Sequence, residues 1–409
     1  MNRLPLLRSP KSKGKFSSRV KLSRRDWLRS SLIAGATLFV GARDFARTIA
    51  AGGELVKPFQ GGKMLGLVEF TDEARVPMDT PFGSELDERL YTDLSKLAPG
   101  NLLTPAGEFY IRTGASKLLE RTPIASVKLG GLVRKASVTS VAEIARAAKD
   151  QGVHLMECAG NVRAVHFGLM SAAQWRGVVV TDLIENLHPE AAASHVLISG
   201  FDQYEAASAT SIPGASWIFS LDELKSAGAF LATEMNGELL ARDHGAPLRL
   251  VVPGWYGCAC IKWVNEISLM EEGAATTSQM REYASRTMQQ GVPQMVREYR
   301  PAMIDAAAMP IRVEKWMACG RLIYRVVGIV WGEAAPAASL EIRFNPEEDY
   351  VPVEHPAATD GNSWALWTHS WTPLQPGPYI IRMHMKDSRI PARRLDAGAY
   401  VRSVEITEV

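Results

Sequence analysis

The residue of this sequence best suited to chemistry is Cys158. It follows a short apolar run at 153–157; two small residues and an asparagine come directly after it, and Arg163 lies five positions beyond the cysteine. Small residues let a bulky ligand approach the backbone, and a nearby cation lowers the pKa of a thiol, whose thiolate binds metals and attacks electrophiles. Taken alone, Cys158 fits a buried inert thiol better than a ligand, so its role depends on the rest of the chain.

A second group of chemically suggestive residues lies at 234–263. Gly, Pro, His, Arg and Lys are concentrated there between short apolar runs, as in His244-Gly-x-Pro-x-Arg249 and Lys262-Trp263. Cations and backbone N–H groups bind phosphate, and glycines permit close approach. The composition therefore predicts loops that hold a phosphorylated, ring-bearing ligand; simple turns are the alternative. No GxGxxG or P-loop pattern occurs, which disfavours a dinucleotide or a nucleoside triphosphate.

The four cysteines do not form a zinc motif. Cys258 and Cys260 have no second cysteine pair or close histidine pair, and Cys319 stands alone. A chain of 409 residues with 46% hydrophobic residues can bury a substantial core without disulfide bonds. The composition also excludes a disordered or fibrous protein.

The elements that position these residues are of mixed type before residue 309. Apolar residues recur at helical spacing in two segments, Val141–Gln151 and Thr277–Gln290. Ser140 directly precedes the first segment and is a fitting N-cap. Strand-like runs occur at Val153–Glu157, His195–Ser199 and Leu248–Val252.

After Pro310 the pattern becomes β-rich. Short β-runs separated by Gly, Pro, Asn and Asp are predicted at Arg312–Trp316, Leu322–Val330, Ser339–Phe344, Ala365–Ser370, Tyr379–Met385 and Tyr400–Ile406. We therefore predict an α+β chain: a leader at 1–52, a mixed α/β domain at 53–308, and an all-β immunoglobulin-like sandwich at 309–409.

The leader has the composition of an export signal. Residues 1–29 contain ten Lys or Arg against one acidic residue, Arg24-Arg25 is a twin-arginine pair, and an apolar run follows at 31–42. This order predicts twin-arginine export to the periplasm, with a disordered basic tail as the alternative. The remainder has 36 basic and 43 acidic residues, so its balance of −7 gives no basic footprint for nucleic acid.

Several segments together resemble the sulfite oxidase family of molybdenum enzymes in order and spacing. They are Cys158-Ala-Gly-Asn, Met235-Asn-Gly-Glu, His244-Gly-x-Pro-x-Arg249, Val252-Pro-Gly and Lys262-Trp. The resemblance covers about residues 100–409. It implies molybdenum bound to molybdopterin, a single pyranopterin dithiolene, and a β-rich tail that forms a homodimer.

The resemblance also implies site residues. Cys158 would be the thiolate ligand of molybdenum, Arg112 and Arg163 would bind a substrate anion, and Tyr283 would lie near the reacting oxygen. The residues that match cofactor contacts, with Arg112 and Cys158, are Tyr110, Asp202, His244, Arg249, Cys260, Ile261 and Lys262.

Two departures from the family pattern concern the substrate more than the cofactor. Gly114 stands where the family commonly has a histidine, and Ala259 stands where it has an arginine. His166, in a wall after Cys158 that is shorter than in vertebrate and plant members, is a candidate to replace some of the lost polarity.

The resemblance implies oxygen-atom transfer to sulfite or a similar sulfur substrate. The sequence has no Cys-x-x-Cys-His haem motif, so we expect the electrons to pass to an external carrier such as a c-type cytochrome. Two alternatives remain at this point: a sulfoxide reductase of the methionine sulfoxide reductase type, and a non-catalytic scaffold that has lost its cofactor.

Overall fold

The computed structural model describes residues 62–273, 276–287, 302–332, 339–354, 361–397 and 400–409. The predicted export leader at 1–52 lies outside these residues and stays a prediction. Within the described residues, no helix is both long enough and apolar enough to cross a membrane.

Two five-stranded sheets form the region that contains Cys158. The first has the strand order β3-β2-β11-β6-β7. Its members are β2 (Ser126–Gly131), β3 (Ser137–Ser140), β6 (His195–Gly200), β7 (Ser216–Ser220) and β11 (Val264–Met270). The strands β2 and β11 pair in parallel, whereas the other neighbours are antiparallel.

The second sheet carries Cys158 at the end of one strand. Its order is β10-β8-β5-β4, with β9 beside β8. Its members are β4 (Lys149–Glu157), β5 (Met170–Val179), β8 (Phe230–Met235), β9 (Glu238–Leu239) and β10 (Arg249–Val251). Most of β5 and all of β10 are buried, as expected of strands covered on both faces.

Two four-stranded sheets make up most of the C-terminal part. One is ordered β1-β12-β13-β16 and the other β15-β14-β17-β18. The first contains β1 (Lys63–Val68), β12 (Ala307–Ala318), β13 (Arg321–Trp331) and β16 (Ala365–Trp371). The second contains β14 (Leu340–Arg343), β15 (Val351–Pro352), β17 (Gly377–Met385) and β18 (Arg402–Ile406).

All six β-runs predicted after Pro310 lie in or overlap strands of these two sheets, and no α-helix occurs among the described residues of this part. Along β16 buried residues alternate with half-buried ones, the period of two that places one face of a strand in a core. One strand, β1, comes from the start of the chain and pairs with β12. The immunoglobulin-like assignment and the domain boundary at 309 stay predictions.

Four α-helices are described: α1 (Val141–Ala147), α2 (Val180–Glu185), α3 (Leu221–Ala227) and α4 (Ser278–Thr287). Ser140 caps α1 as predicted, because its hydroxyl accepts the Glu143 N–H while the Glu143 carboxylate accepts the Ser140 N–H. The predicted end of this helix at Gln151 is wrong. Lys149 and Asp150 pair with Gly177 and Arg176 of β5, so cross-strand pairing overrides the local helical spacing. The predicted residues 288–290 of α4 lie outside the described residues.

Candidate functional site

Cys158 lies in a cleft of about 880 Å³ including its open mouth. The cleft is lined by loops that follow strand ends, and helix α4 contributes one wall. Sequence-predicted residues that line it are Tyr110, Arg112, Cys158, Asp202, Arg249, Cys260, Ile261, Lys262 and Tyr283. The structure therefore brings together residues that are up to 173 positions apart in the sequence, from Tyr110 to Tyr283.

The backbone around Cys158 holds its sulfur in place. The Cys158 N–H donates to the Leu169 carbonyl at 2.9 Å, and the Gly160 N–H donates to Cys158 Sγ at 3.3 Å. Asn161 closes the turn, because its side-chain oxygen accepts the Leu169 N–H at 3.1 Å. An N–H donated to sulfur favours the thiolate, which is the form that binds a metal.

The other two cysteines of the cleft differ from Cys158 in their surroundings. Burial raises the pKa of the Cys258 thiol and the pKa of the Cys260 thiol, so both are neutral at pH 7. The Val252 N–H donates to Cys260 Sγ at 3.4 Å. The four cysteines form no disulfide, and Cys319 is exposed.

Arg249 is a buried cation that hydrogen-bonds no carboxylate within the described part of the chain. Its Nη1 donates to the His244 carbonyl at 3.3 Å and its Nη2 contacts the Met156 sulfur. Its Nε is buried and has no hydrogen-bond partner among the described residues. Burial lowers the pKa of this guanidinium. A buried donor left unpaired implies an acceptor that binds there.

Lys262 is a second, half-buried cation of the cleft. Its Nζ donates to the carbonyls of Thr113 and Asp243, the latter at 2.9 Å, and lies 4.3 Å from the Trp263 ring centre. Burial, reinforced by the charge of Arg249, lowers the pKa of Lys262 to about 7. An anionic ligand would restore the charged form of the lysine, since an opposite charge favours protonation.

His244 is placed behind the cleft wall rather than on it. Its Nε2 hydrogen-bonds the Ala106 carbonyl at 3.1 Å, and its Nδ1 has no hydrogen-bond partner among the described residues. Burial and then the charge of Arg249 lower the pKa of His244 to about 4, so the ring is neutral at pH 7. Its backbone carbonyl accepts from Arg249, which makes it a support for that cation.

Tyr110 and Asp202 complete the inner wall. Burial raises the pKa of Tyr110. The Tyr110 hydroxyl occupies the space where a side chain at Gly257 would lie, which explains the glycine there. Burial raises the pKa of Asp202, although N–H groups of Ala215 and Gly214 oppose this.

The mouth of the cleft contains Arg112 and the half-buried Tyr283 of α4. Arg112 Nη1 donates to the Ser211 hydroxyl at 2.9 Å. A second arginine, Arg89, donates to the same oxygen at 3.0 Å. Arg89 was missed by the sequence analysis, because no motif surrounds it and only strand pairing brings it beside Arg112.

Arg163 is held away from this cleft. Its Nη1 donates to the Asp72 carboxylate at 2.7 Å and to the Val401 carbonyl at 3.3 Å. His166 lies three residues further along this loop, and its Nδ1 is 3.0 Å from the Glu73 carboxylate. The segment at 72–74 and the C-terminal part thus hold the loop after Cys158, and neither side chain lines the cleft.

Gly114 has a structural explanation. A Cβ at this position would collide with the Glu88 carboxylate, so Glu88 fills the space that a side chain at 114 would take. Burial and then the charge of Asp243 raise the pKa of Glu88. Glu88 is a further charged group near Lys262 that the sequence analysis missed.

The cleft fits a molybdopterin by the chemistry of its donors. Cys158 offers one sulfur with a backbone N–H on it. Among the described residues, Arg249 Nε has no acceptor and Lys262 hydrogen-bonds no carboxylate. Phosphate would bind to the two cations, and Asp202 is an acceptor for N–H groups of a pterin ring. The side chains of the cleft therefore include donors and acceptors for the metal, the phosphate and the pterin ring of a molybdopterin.

Comparisons with known proteins agree with this chemistry. Residues 122–278 match the family model of the oxidoreductase molybdopterin binding domain. Sulfite oxidase of Arabidopsis thaliana is 30% identical over 201 residues, which cover 44% of this chain and 51% of the plant protein. Sulfite oxidase of Gallus gallus is 26% identical over 287 residues, which cover 62% of this chain and 60% of the chicken protein. The chain spans between about a quarter and three-fifths of the length of the curated sulfite oxidases named by the comparison.

A solved structure also resembles this chain along its length. The sulfane dehydrogenase SoxCD of Paracoccus pantotrophus aligns with a TM-score of 0.58 and 15% identity, covering 97% of this chain and 96% of the other. At this identity the likeness concerns the fold alone.

The match at residues 122–278 and the similar sulfite oxidases indicate an oxidoreductase of the molybdopterin-binding class and imply molybdenum with molybdopterin as its cofactor. Within that class, the chain is similar to members of the sulfite oxidase family along part of their length. The resemblance seen in the sequence is thereby confirmed. The roles of the individual residues are not tested by the comparisons and stay predictions.

Proposed function

We propose that this protein is a periplasmic molybdenum enzyme of the sulfite oxidase type, which oxidises sulfite or a similar sulfur oxyanion. In the overall reaction, sulfite and water give sulfate, two protons and two electrons, and two molecules of a one-electron carrier such as a c-type cytochrome take up the electrons. The observation that carries the proposal is the thiol of Cys158, with a backbone N–H on its sulfur, in a cleft whose cations Arg249 and Lys262 hydrogen-bond no carboxylate among the described residues.

The bound cofactor supplies the two-electron oxygen-transfer chemistry, and the chain supplies binding and electrostatics. Cys158 Sγ would hold the metal, and Arg249 with Lys262 would hold the phosphate of the pterin. At the mouth, the guanidinium of Arg112 would bind the oxygens of the substrate, since its planar fork matches an oxyanion. The hydroxyl of Tyr283 stands at the same mouth and would hydrogen-bond the substrate or the water beside it.

The remaining parts of the proposal depend on the sequence. Periplasmic location depends on the twin-arginine leader, and the homodimer on the β-rich tail. The balance of −7 outside the first 29 residues favours a basic cytochrome as carrier, because opposite charges steer encounter. A sulfoxide reductase is less favoured, because the branch of the family that acts on sulfoxides usually lacks a β-rich tail.

The test combines metal analysis with turnover. Protein purified from its own periplasm should contain about one molybdenum per chain by mass spectrometry and reduce cytochrome c when sulfite is added. Cys158→Ser should keep the fold and the pterin but lose at least about a thousandfold of the turnover, because the thiolate ligand is gone. The matched control is Cys319→Ser, which replaces an exposed cysteine on a turn and should leave molybdenum content and turnover as in the parent.

The outcomes separate the candidate functions. Full turnover in Cys158→Ser would contradict the ligand assignment. Molybdenum without sulfite turnover, together with reduction of a sulfoxide by a supplied electron donor, would favour the reductase. Correctly matured protein without molybdenum would favour the scaffold.

A further inference from the structure

Arg89 and Arg112 are neighbours across a short strand pairing. Leu90 and Ile111 form an antiparallel bridge, in which each N–H donates to the other's carbonyl at 3.0 Å. Both of these residues are buried. Successive side chains of extended backbone point to opposite faces, so Arg89 and Arg112 share the face opposite to Leu90 and Ile111.

The two guanidinium groups share one acceptor. Arg89 Nη2 donates to Ser211 Oγ at 3.0 Å and Arg112 Nη1 donates to the same oxygen at 2.9 Å. The two nitrogens therefore lie within about 6 Å of each other. The Asp87 carboxylate, 3.9 Å from Arg89 Nη2, supplies one negative charge against two positive ones, so the pair keeps a net positive charge that attracts an anion.

Arg89 is much more firmly anchored than a surface arginine. Its Nη1 donates to the carbonyls of Leu86 at 2.9 Å and Glu88 at 2.7 Å, and its Nη2 also donates to Thr210 at 3.2 Å. Its side chain is 12% exposed. These contacts fix Arg89 to its own turn on one side and to the loop at 208–211 on the other.

The loop at 208–211 is held from the same segment. Asp87 Oδ1 accepts from the hydroxyl of Ser208 at 2.6 Å and from the hydroxyl of Thr210, and lies 3.9 Å from Arg89 Nη2. The hydroxyl of Ser211 is thus placed by a rigid set of contacts. Arg112, which lines the cleft, takes its position from that hydroxyl.

We propose that Arg89 is a positioning residue of the anion-binding part of the cleft. Through the Ser211 hydroxyl it fixes the guanidinium of Arg112 at the mouth, and it adds a second positive charge there. The sequence analysis gave this second cationic role to Arg163, which instead pairs with Asp72. The assignment rests on the proposed function, because it concerns the anion that the reaction takes, and it predicts that the cleft selects compact oxyanions over neutral sulfoxides.

The burial of the pair supports the same conclusion. Burial and then the charge of Arg112 lower the pKa of Arg89. A guanidinium remains charged despite such a shift. Two cations close together repel each other, the Asp87 carboxylate offsets one of the two charges, and a bound anion would relieve the remaining repulsion.

The experiment measures anion binding separately from turnover. Inorganic sulfate is titrated into the purified holoprotein by calorimetry, and KM and kcat for sulfite are measured on the same samples. Arg89→Gln should weaken sulfate binding about tenfold and raise KM for sulfite by a similar factor, with a smaller change in kcat. Arg89→Lys keeps the charge without the fork and should recover part of the loss.

Two further variants separate positioning from folding. Ser211→Ala removes the shared acceptor and leaves the backbone contacts of Arg89 intact, so it should weaken sulfate binding about threefold or more. Arg389→Gln changes an arginine that is 89% exposed and pairs with Asp387, and it should leave sulfate binding unchanged. Molybdenum content and the thermal midpoint are recorded for every variant.

The results decide the assignment independently of the reaction. Sulfate binding that is unchanged in both Arg89→Gln and Ser211→Ala, with molybdenum retained, overturns the role of Arg89 while sulfite oxidation stands. Weakened sulfate binding in both variants supports the role even if the parent does not oxidise sulfite, in which case the proposed function alone fails. Equal loss of binding in Arg89→Lys and Arg89→Gln, with a lowered thermal midpoint in both, shows a purely structural role and also overturns the proposal.

Discussion

Two groups of buried charges in this molecule differ in how they are paired. In the first, the Glu157 carboxylate receives both terminal nitrogens of Arg393, at 2.8 and 2.7 Å, and the Trp331 indole N–H at 2.8 Å. In the second, the cleft cations Arg249 and Lys262 hydrogen-bond backbone carbonyls and no carboxylate among the described residues.

The pKa shifts express the same difference. Burial by itself lowers the pKa of Arg393, but Glu157 more than offsets this and the net pKa is raised. In the cleft, burial lowers the pKa of Lys262 and the pKa of Arg249. A compensated buried charge fixes geometry, whereas an uncompensated one is destabilising until an anion binds. Glu157 is the last residue of β4 and directly precedes Cys158, so the paired group holds the strand end that carries the predicted metal ligand.

The largest expected effect comes from breaking the paired group. Glu157→Gln leaves Arg393 buried without a countercharge and should lower the free energy of unfolding by about 3–5 kcal/mol. Urea unfolding of the cofactor-free protein measures this change. The control is Arg389→Gln, which breaks the exposed ion pair of Arg389 with Asp387 and should leave the midpoint of urea unfolding unchanged. An unchanged midpoint in Glu157→Gln would remove the distinction between the two groups.

The next effect concerns the unpaired group and its pH dependence. The folded pKa of Lys262, about 7, is below the value of about 10.5 expected in the unfolded chain. Between these values the unfolded state binds more protons, so the free energy of unfolding of the cofactor-free protein should rise with pH, by up to about 1.4 kcal/mol per pH unit. Lys262→Met should lose this rise. A parent protein whose stability is flat from pH 7 to 10 would contradict the unpaired state of the lysine.

The smallest effect concerns a second paired carboxylate. Burial by itself raises the pKa of Glu314, but Arg312 and Arg325 lower it below its usual value. Glu314 therefore contributes stability that is present above about pH 4.5 and is lost as the pH falls through the lower, folded value. Glu314→Gln should flatten the acid limb of the stability profile, measured by urea unfolding between pH 5 and 3. An identical acid limb in parent and variant would show that this carboxylate is not compensated.

Local signals determined much of the fold. Ser140 and Glu143 are three residues apart and complete each other's hydrogen bonds, so the start of α1 followed from the sequence. The β-runs after Pro310 followed from alternation and turn residues. The end of α1 could not be read from the sequence, because Lys149 and Asp150 pair with residues of β5 that are more than twenty positions away.

The site divides in the same way. Cys158 and the segment at 244–262 were found because glycines, cations and the cysteine have a recognisable order. The location of Arg163 could not be predicted from the sequence, because its partner Asp72 is 91 residues distant. Arg89 and Glu88 have no motif of their own, and long-range contacts bring this segment to the cleft, among them the bridge between Leu90 and Ile111 and the Asp87 carboxylate that accepts from Ser208.

The sequence by itself thus indicated the resemblance to the sulfite oxidase family and the cofactor that it implies, and it predicted Cys158 as the metal ligand, since these depend on residue types at short spacings. Only the tertiary structure decided which arginines stand together at the mouth and which buried charges are paired. Charge pairing depends on distances of a few ångströms between segments far apart in the chain, and no local pattern encodes those distances.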